Sequence, residues 1–272
     1  MALEQPGPAW LFCPADRPER YAKAALAADV VILDLEDAVA AADKPAARAA
    51  LVDTALDPAR TVVRINQSGT ADHELDLRAL SQTPYTTVML PKCESAKQVS
   101  SLAPLSVVVL IESPLGALRV AESAQPDNAI GVMWGAEDLL AALGGTANRR
   151  ADGTFRDVVQ HVRSQSLLGA KAYGRLALDS VYLDIRDLDG LRAEVDDAVA
   201  VGFDAKVAIH PSQVAVIRTG YAPSEDQAEW ARGILAAASG QRGVFTYQGA
   251  MVDNPVLRRA ERIAQLAKSH RT

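Results

Sequence analysis

A chain of 272 residues, 49% apolar and 23% charged, reads as a folded globular protein, and its length suits one barrel of about 250 residues. A formal charge of −6 argues against a nonspecific nucleic-acid binder, so any anionic ligand needs a local cluster of Arg and Lys. Cys13 and Cys93 are too few for a disulfide framework or a cysteine-based zinc site and are expected as buried thiols; no run nears the ~20 apolar residues of a membrane span.

Eight short, β-rich apolar runs are predicted as strands, at residues 10–13, 30–35, 61–65, 87–90, 106–111, 129–134, 180–183 and 206–209. Several are nearly continuous in Val, Ile and Leu, as strands buried on both faces of a parallel sheet must be. Ala-rich stretches of helical periodicity separate them, for example residues 22–27 and 191–199. This alternation predicts parallel βαβ units, and eight of them favour closure into a (β/α)8 TIM barrel. Residues 139–178 are too long for one loop and helix. They are expected to form an elaborated sixth connection over the barrel mouth, with an amphipathic run at 155–172. Beyond the eighth strand, a helix is expected at 224–238, then a loop with Gly240, Gly243 and Gly249, then a last helix from Pro255. The expected division is a barrel over 1–221 and an extension over 222–272 that caps the barrel or reaches a neighbouring subunit. The first eight residues lack the basic start and apolar run of a signal peptide, so a cytoplasmic protein is expected.

In a closed parallel barrel, chemistry sits at the C-terminal ends of the strands. Here those ends carry Glu36 and Asp37, Arg64 and Asn66, Lys92, Glu112, Glu137 and Asp138, Asp184 and His210. Carboxylates crowded at a mouth repel one another unless they are protonated or bound to a cation. Oxygen donors without paired His or Cys suit Mg2+, with Mn2+ as the alternative. Glu112 and Asp138, from adjacent strands, are the expected ligands. Glu36 and Asp37 are expected either to accept hydrogen bonds from metal-bound water or to pair with Arg64. Arg64 suits a substrate carboxylate or carbonyl oxygen. The turn Gly135-Ala136-Glu137-Asp138 offers backbone N–H donors at a helix start, where an anion is favoured. Nothing beside Lys92 would depress its pKa, so a structural or anion-binding role is expected over a Schiff base. His210 is expected to support the mouth through hydrogen bonds.

Together these residues, with Leu11-Phe12-Cys13-Pro14-Ala15-Asp16-Arg17-Pro18, Asp34-Leu35-Glu36-Asp37, Val63-Arg64-Ile65-Asn66, Leu90-Pro91-Lys92, Ile111-Glu112-Ser113-Pro114-Leu115-Gly116, Gly135-Ala136-Glu137-Asp138-Leu139, Ile209-His210-Pro211-Ser212 and Gly249-Ala250-Met251-Val252-Asp253-Asn254-Pro255, carry a resemblance. The chain resembles the citrate lyase β-subunit-like branch of the HpcH/HpaI aldolase family, and especially its mycobacterial members. The resemblance covers Leu11 to about Ala260. It implies that Glu112 and Asp138 bind Mg2+, that Arg64 contacts substrate, and that the Gly135, Ala136, Glu137 and Asp138 backbone holds a keto-acid carboxylate. It implies that Phe12, Arg17 and Lys23 line the path of a CoA thioester, the last two pairing with its phosphates. It also implies that Asp253 is the proton-transferring acid and that the protein is a homotrimer. Two positions depart from the family pattern: Ala15 and Ala205 stand where glycine is usual, each adding a methyl near the expected CoA entrance.

The implied activity is a Mg2+-dependent carbon–carbon lyase. It would cleave citramalyl-CoA, malyl-CoA or 3-hydroxy-3-methylglutaryl-CoA to acetyl-CoA and a keto acid. Two alternatives stay open: the β subunit of a citrate lyase complex acting on a citryl group borne by an acyl carrier protein, and a metal-dependent pyruvate aldolase that uses no CoA.

Overall fold

Runs such as Val30-Val31-Ile32-Leu33 combine β-branched shape with an apolar surface on both faces, which suits a strand enclosed on both sides. In the computed structural model, which describes residues 6–241 and 243–269, such runs form eight parallel strands closed into a barrel in chain order. They are β1 (Ala9–Pro14), β2 (Val30–Asp34), β3 (Thr61–Arg64), β4 (Thr87–Leu90), β5 (Ser106–Ile111), β6 (Ala129–Trp134), β7 (Leu176–Asp179) and β8 (Ala205–Ala208). Strand β8 returns to pair with β1, with Trp10 beside Val207. The barrel is filled by inward side chains, among them Trp10, Ile32, Val62, Met89, Val108, Leu110, Met133 and Leu178, rather than by solvent.

Helices alternate with the strands: α1 (Tyr21–Ala27), α2 (Lys44–Asp53), α3 (Ala71–Leu80), α4 (Ala96–Ser100), α5 (Pro114–Leu118), α6 (Val120–Ala124), α7 (Ala136–Leu143), α8 (Asp157–Ala172), α9 (Leu188–Val201) and α10 (Pro211–Tyr221). Their starts follow local chemistry. Thr70, Ser95, Ser113 and Asp187 each accept the N–H of the residue three positions on, satisfying one of the donors a helix start leaves open.

Two expectations need correction. The seventh strand is Leu176–Asp179, not residues 180–183. Leu-Ala-Leu-Asp has less β character than Ser-Val-Tyr-Leu, but the backbone of the second run bonds side chains instead of a strand. Lys206 Nζ donates to the Ser180 carbonyl at 2.8 Å, and Gln213 Nε2 to that of Tyr182 at 2.8 Å. The strand therefore ends in Asp179, and Asp184 lies in a turn, where its carboxylate accepts the N–H of Arg186 at 3.0 Å. The second correction concerns the glycine-rich loop, which contains a β-hairpin.

The chain divides into two compact units, Met1–Ile217 and Arg218–Thr272. The second holds α11 (Glu225–Ala238), β9 (Phe245–Tyr247), β10 (Ala250–Val252) and α12 (Asn254–Ser269) around Ala231, Ile234, Val252 and Ala260. A reciprocal cap between Ser224 and Gln227 opens α11. Gln248 and Gly249 turn the hairpin with φ of 48° and 80°, the positive pair of a type I′ turn. Among the described residues no helix is long and apolar enough to cross a membrane.

Candidate active site

The strand ends deliver their polar groups to one face. Arg64, the last residue of β3, is buried, and its Nε donates to Asp34 Oδ1 at 2.8 Å while Nη2 holds Asp34 Oδ2 at 2.5 Å. Its Nη1 lies 3.0 Å from Glu36 Oε2, an ion pair outside hydrogen-bond alignment, and its guanidinium covers the Phe12 ring at 4.7 Å. Burial works against the Arg64 charge, but Asp34, Glu36 and Glu112 outweigh it and push its pKa up. Both terminal nitrogens keep N–H groups that Asp34 does not take up.

Lys92 follows β4 with a left-handed backbone, φ 49°, a strain of about 1–2 kcal/mol for a residue with a side chain. That conformation aims its N–H at Glu112 Oε1, 2.9 Å away. Its ammonium sits among carboxylates: Glu36 at 2.7 Å, Asp37 and Asp138 each at 3.3 Å, and Glu112 at 4.0 Å. Burial opposes the charge, yet the hydrogen bond the ammonium donates to Glu36 and the field of Glu36, Glu112 and Asp138 raise the lysine pKa. A Schiff-base nucleophile needs the opposite shift. The arrangement fits the expected structural role.

Glu112 directly follows β5 and is 3% exposed. Burial first, then the charges of Glu36 and Asp138, push its carboxyl up to about 8, against the pull of Lys92 and Arg64. Gly135 is what lets it fit: a Cβ there would stand 2.8 Å from Glu112 Oε2. The glycine thus makes room for the carboxylate. Its own N–H donates to the Ile111 carbonyl at 2.9 Å, so it is not a donor to ligand. No side chain caps α7, which leaves the N–H groups of Ala136, Glu137 and Asp138 as the open donors of that turn. Asn148 Nδ2 holds Glu137 Oε1 at 2.6 Å.

A cavity of about 300 Å³ opens at this face, lined by Phe12, Asp34, Asp37, Arg64, Glu112, Gly135, Ala136, Glu137 and Asp138 over an apolar floor of Leu110, Met133, Val181 and Ile209. A second cavity of about 330 Å³ shares Phe12 and Ile209 with it and carries Arg20, Lys23 and His210. Arg17 is more than half exposed and pairs with Asp16 at 3.6 Å; Arg20 is the arginine at the second cavity's wall. The methyls of Ala15 and Ala205 point to no obstruction. Both residues are buried and neither lines that cavity. His210 Nδ1 meets Ser212 Oγ at 2.7 Å. Burial pushes the Cys13 thiol up to about 11 and raises that of Cys93, so neither is a nucleophile at neutral pH. Asp253 belongs to the second unit, where its carboxylate accepts the Val256 N–H at 3.2 Å at the start of α12.

Asp34, the main partner of Arg64, was the functional residue not singled out in the sequence. In a strand buried on both faces, alternation does not mark which carboxylate turns toward the mouth.

The donor chemistry fits a hard divalent cation. The mouth is all oxygen, its carboxylates outnumber its two cations, and a lysine ammonium already lies where a positive charge is wanted. Among the described residues no three or more His, Cys, Asp or Glu form a ready cage. Magnesium needs only one or two protein carboxylates, so Glu112 and Asp138 would suffice to hold it.

A closed eight-stranded barrel with an acidic, arginine-bearing mouth defines the class: a barrel enzyme built to handle an oxyanion beside a cation. More narrowly, the chain belongs to the HpcH/HpaI aldolase/citrate lyase family, matched over residues 9–211, and is an enzyme of its carbon–carbon lyase class. It is 62% identical to the citrate lyase subunit beta-like protein of Mycobacterium tuberculosis over 98% of both chains. It is 31% identical to the mitochondrial citramalyl-CoA lyase of Homo sapiens over 97% of this chain and 86% of that one. The crystal structure of the protein CitE from Mycobacterium tuberculosis, in complex with magnesium, acetoacetate and coenzyme A, superposes with a TM-score of 0.93 at 62% identity, covering 97% of this chain and 98% of that one.

Proposed function

We propose that the protein is a Mg2+-dependent lyase that cleaves a 3-hydroxyacyl-CoA bearing one free carboxylate, such as citramalyl-, malyl- or 3-hydroxy-3-methylglutaryl-CoA, to acetyl-CoA and a keto acid. The observation that carries it is the juxtaposition of buried Glu112 and half-buried Asp138, both within reach of the Lys92 ammonium, at the wall of a cavity that also holds Arg64. Glu112 and Asp138 would hold the ion. When bound there, Mg2+ would supply Lewis-acid polarisation of the substrate's hydroxyl and carboxylate oxygens.

The chain's own groups do the rest. The uncapped N–H groups of Ala136, Glu137 and Asp138 receive the carboxylate of the keto-acid half. Arg64, locked by Asp34, is a preorganised donor to the oxygen that gains charge as the carbon–carbon bond breaks. The substrate hydroxyl hands its proton to Asp253 as its oxygen becomes the keto oxygen, the electron pair of the carbon–carbon bond passes to the thioester half as an enolate, and Asp253 returns that proton to the enolate carbon to give acetyl-CoA. Phe12 lies on both cavities, so the second cavity suits the CoA path, with Lys23 and Arg20 available to phosphate and the exposed Arg17 as a further candidate. The protein is proposed to act in the cytoplasm as a homotrimer.

Purified protein is incubated with Mg2+ and each of these acyl-CoA esters, and acetyl-CoA and keto acid are assayed. Turnover is expected for at least one ester, with Glu112→Ala and Asp138→Ala reduced by at least ~10³-fold. Full turnover of either variant in EDTA would refute the reading.

A further inference from the structure

The connection between α7 and α8 does more than bridge two helices. It folds back on itself, with Arg149 and Phe155 paired as an antiparallel bridge. Arg149 lies over the Phe155 ring at 3.9 Å and the Tyr182 ring at 5.3 Å, and its Nη1 donates to the Gly153 carbonyl at 2.9 Å. The same nitrogen pairs with Glu194 Oε1 on α9. The other oxygen of Glu194 lies 3.2 Å from Lys206 Nζ, and Lys206 is fully buried. Lys206 reaches Asp179 Oδ2 at 3.1 Å, and Asp179 Oδ1 accepts the indole N–H of Trp134 at 2.8 Å. Trp134 packs edge-on against Phe155 at 5.2 Å, which brings the path back to Arg149.

The contacts therefore close a ring through β6, β7, β8, α9 and the bridge. The ring touches the proposed metal site at two places. Trp134 directly precedes Gly135, the residue against which Glu112 packs. Asn148, the neighbour of Arg149, holds Glu137, the residue before Asp138. We infer that Arg149 is a positioning residue: through Phe155 and Asn148 it fixes the Gly135–Asp138 turn and sets the place of the Asp138 carboxylate. Arg149 touches no reacting atom. It acts by clamping, and Glu194 is its anchor. Ligands held on a turn depend on such supporting contacts for their geometry, and losing one commonly weakens metal binding about tenfold or more.

This inference rests on Glu112 and Asp138 binding a divalent cation, and its test separates the two ideas. Mn2+ is titrated into full-length wild type, Arg149→Met, Arg149→Lys and Glu194→Gln, with bound ion read by electron paramagnetic resonance and unfolding midpoints recorded alongside. Binding to wild type, weakened about tenfold in Arg149→Met and Glu194→Gln, no worse in the double variant that combines Arg149→Met with Glu194→Gln, and partly regained in Arg149→Lys, is the expected result. Wild-type affinity in a folded Arg149→Met would overturn the inference and leave the metal site standing. So would additive losses in the double variant. If Arg149→Met does not fold, undiminished affinity in Glu194→Gln would have the same meaning. No binding to wild type would sink the metal reading, and this inference with it.

Discussion

Glu112 carries the sharpest tension in the molecule, a carboxyl in a dry place surrounded by others of its kind. With burial lifting its pKa to about 8 from an ordinary 4.5, the folded, metal-free protein retains a proton that the unfolded chain has released. A raised carboxylate pKa removes stability as pH climbs between those two values, and the loss levels off above the higher one. The effect is on the order of a few kcal/mol. Glu112→Gln should therefore flatten that decline and be more stable than wild type at pH 8 in EDTA, although it has lost the activity. Midpoints of thermal unfolding from pH 5 to 9 check this, and parallel curves for the two proteins would contradict it. At this scale the sequence was most informative where a charge follows a strand. Arg64, Glu112 and Asp138 stood out because each lies at, or within a few residues of, the end of an apolar run. The pairing of Arg64 with Asp34 lay hidden, since Asp34 sits within its strand and its direction depends on barrel twist.

Among the elements, β1 to β6 and β8 were legible to within a residue or so, because each is a concentrated apolar run between polar turns. Strand β7 was not. Its Leu-Ala-Leu core looks like the tail of the preceding helix, and what makes it a strand is pairing with β6 and β8. The β9–β10 hairpin was read as loop because Gln248 is an unusual residue for a turn with positive φ at both central positions. That mismatch is testable. Gln248→Asn places a residue that adopts the left-handed region readily and should raise the unfolding midpoint of this part of the chain by about 1–2 °C. Gly249→Val should lower it by several degrees. Differential scanning calorimetry on both variants decides, and a fall with Asn would mean that the turn geometry is wrong.

At the scale of the whole barrel, Asp179, Arg163 and Lys206 form a buried charged group apart from the mouth. Burial alone would raise the Asp179 pKa, but Lys206, Arg163 and the Trp134 N–H overcome it and hold the carboxyl below its ordinary value. A depressed carboxylate contributes stability in full above the unfolded pKa near ~4 and gives it up as pH falls through the folded value. Asp179→Asn should cost about 3–5 kcal/mol at neutral pH, because Lys206 and Arg163 stay buried with one partner fewer. It should also make the acid limb of the stability curve shallower. Chemical denaturation at pH 3 to 7 measures both, and a limb as steep as wild type would assign acid sensitivity elsewhere. The barrel itself was readable from strand–helix spacing, but this group was not, since its members lie on three different elements whose apposition only closure of the sheet creates.

The surplus of carboxylates around Lys92 has a kinetic corollary. An acyl-CoA is itself an anion, and a mouth dominated by negative groups turns such a molecule away until something offsets that field. On the proposed function, an ion held by Glu112 and Asp138 would have to bind ahead of the thioester, and the ammonium of Lys92 would give way to it. A flexible lysine at that spot would work as a placeholder, keeping the carboxylates apart and the entrance formed between turnovers.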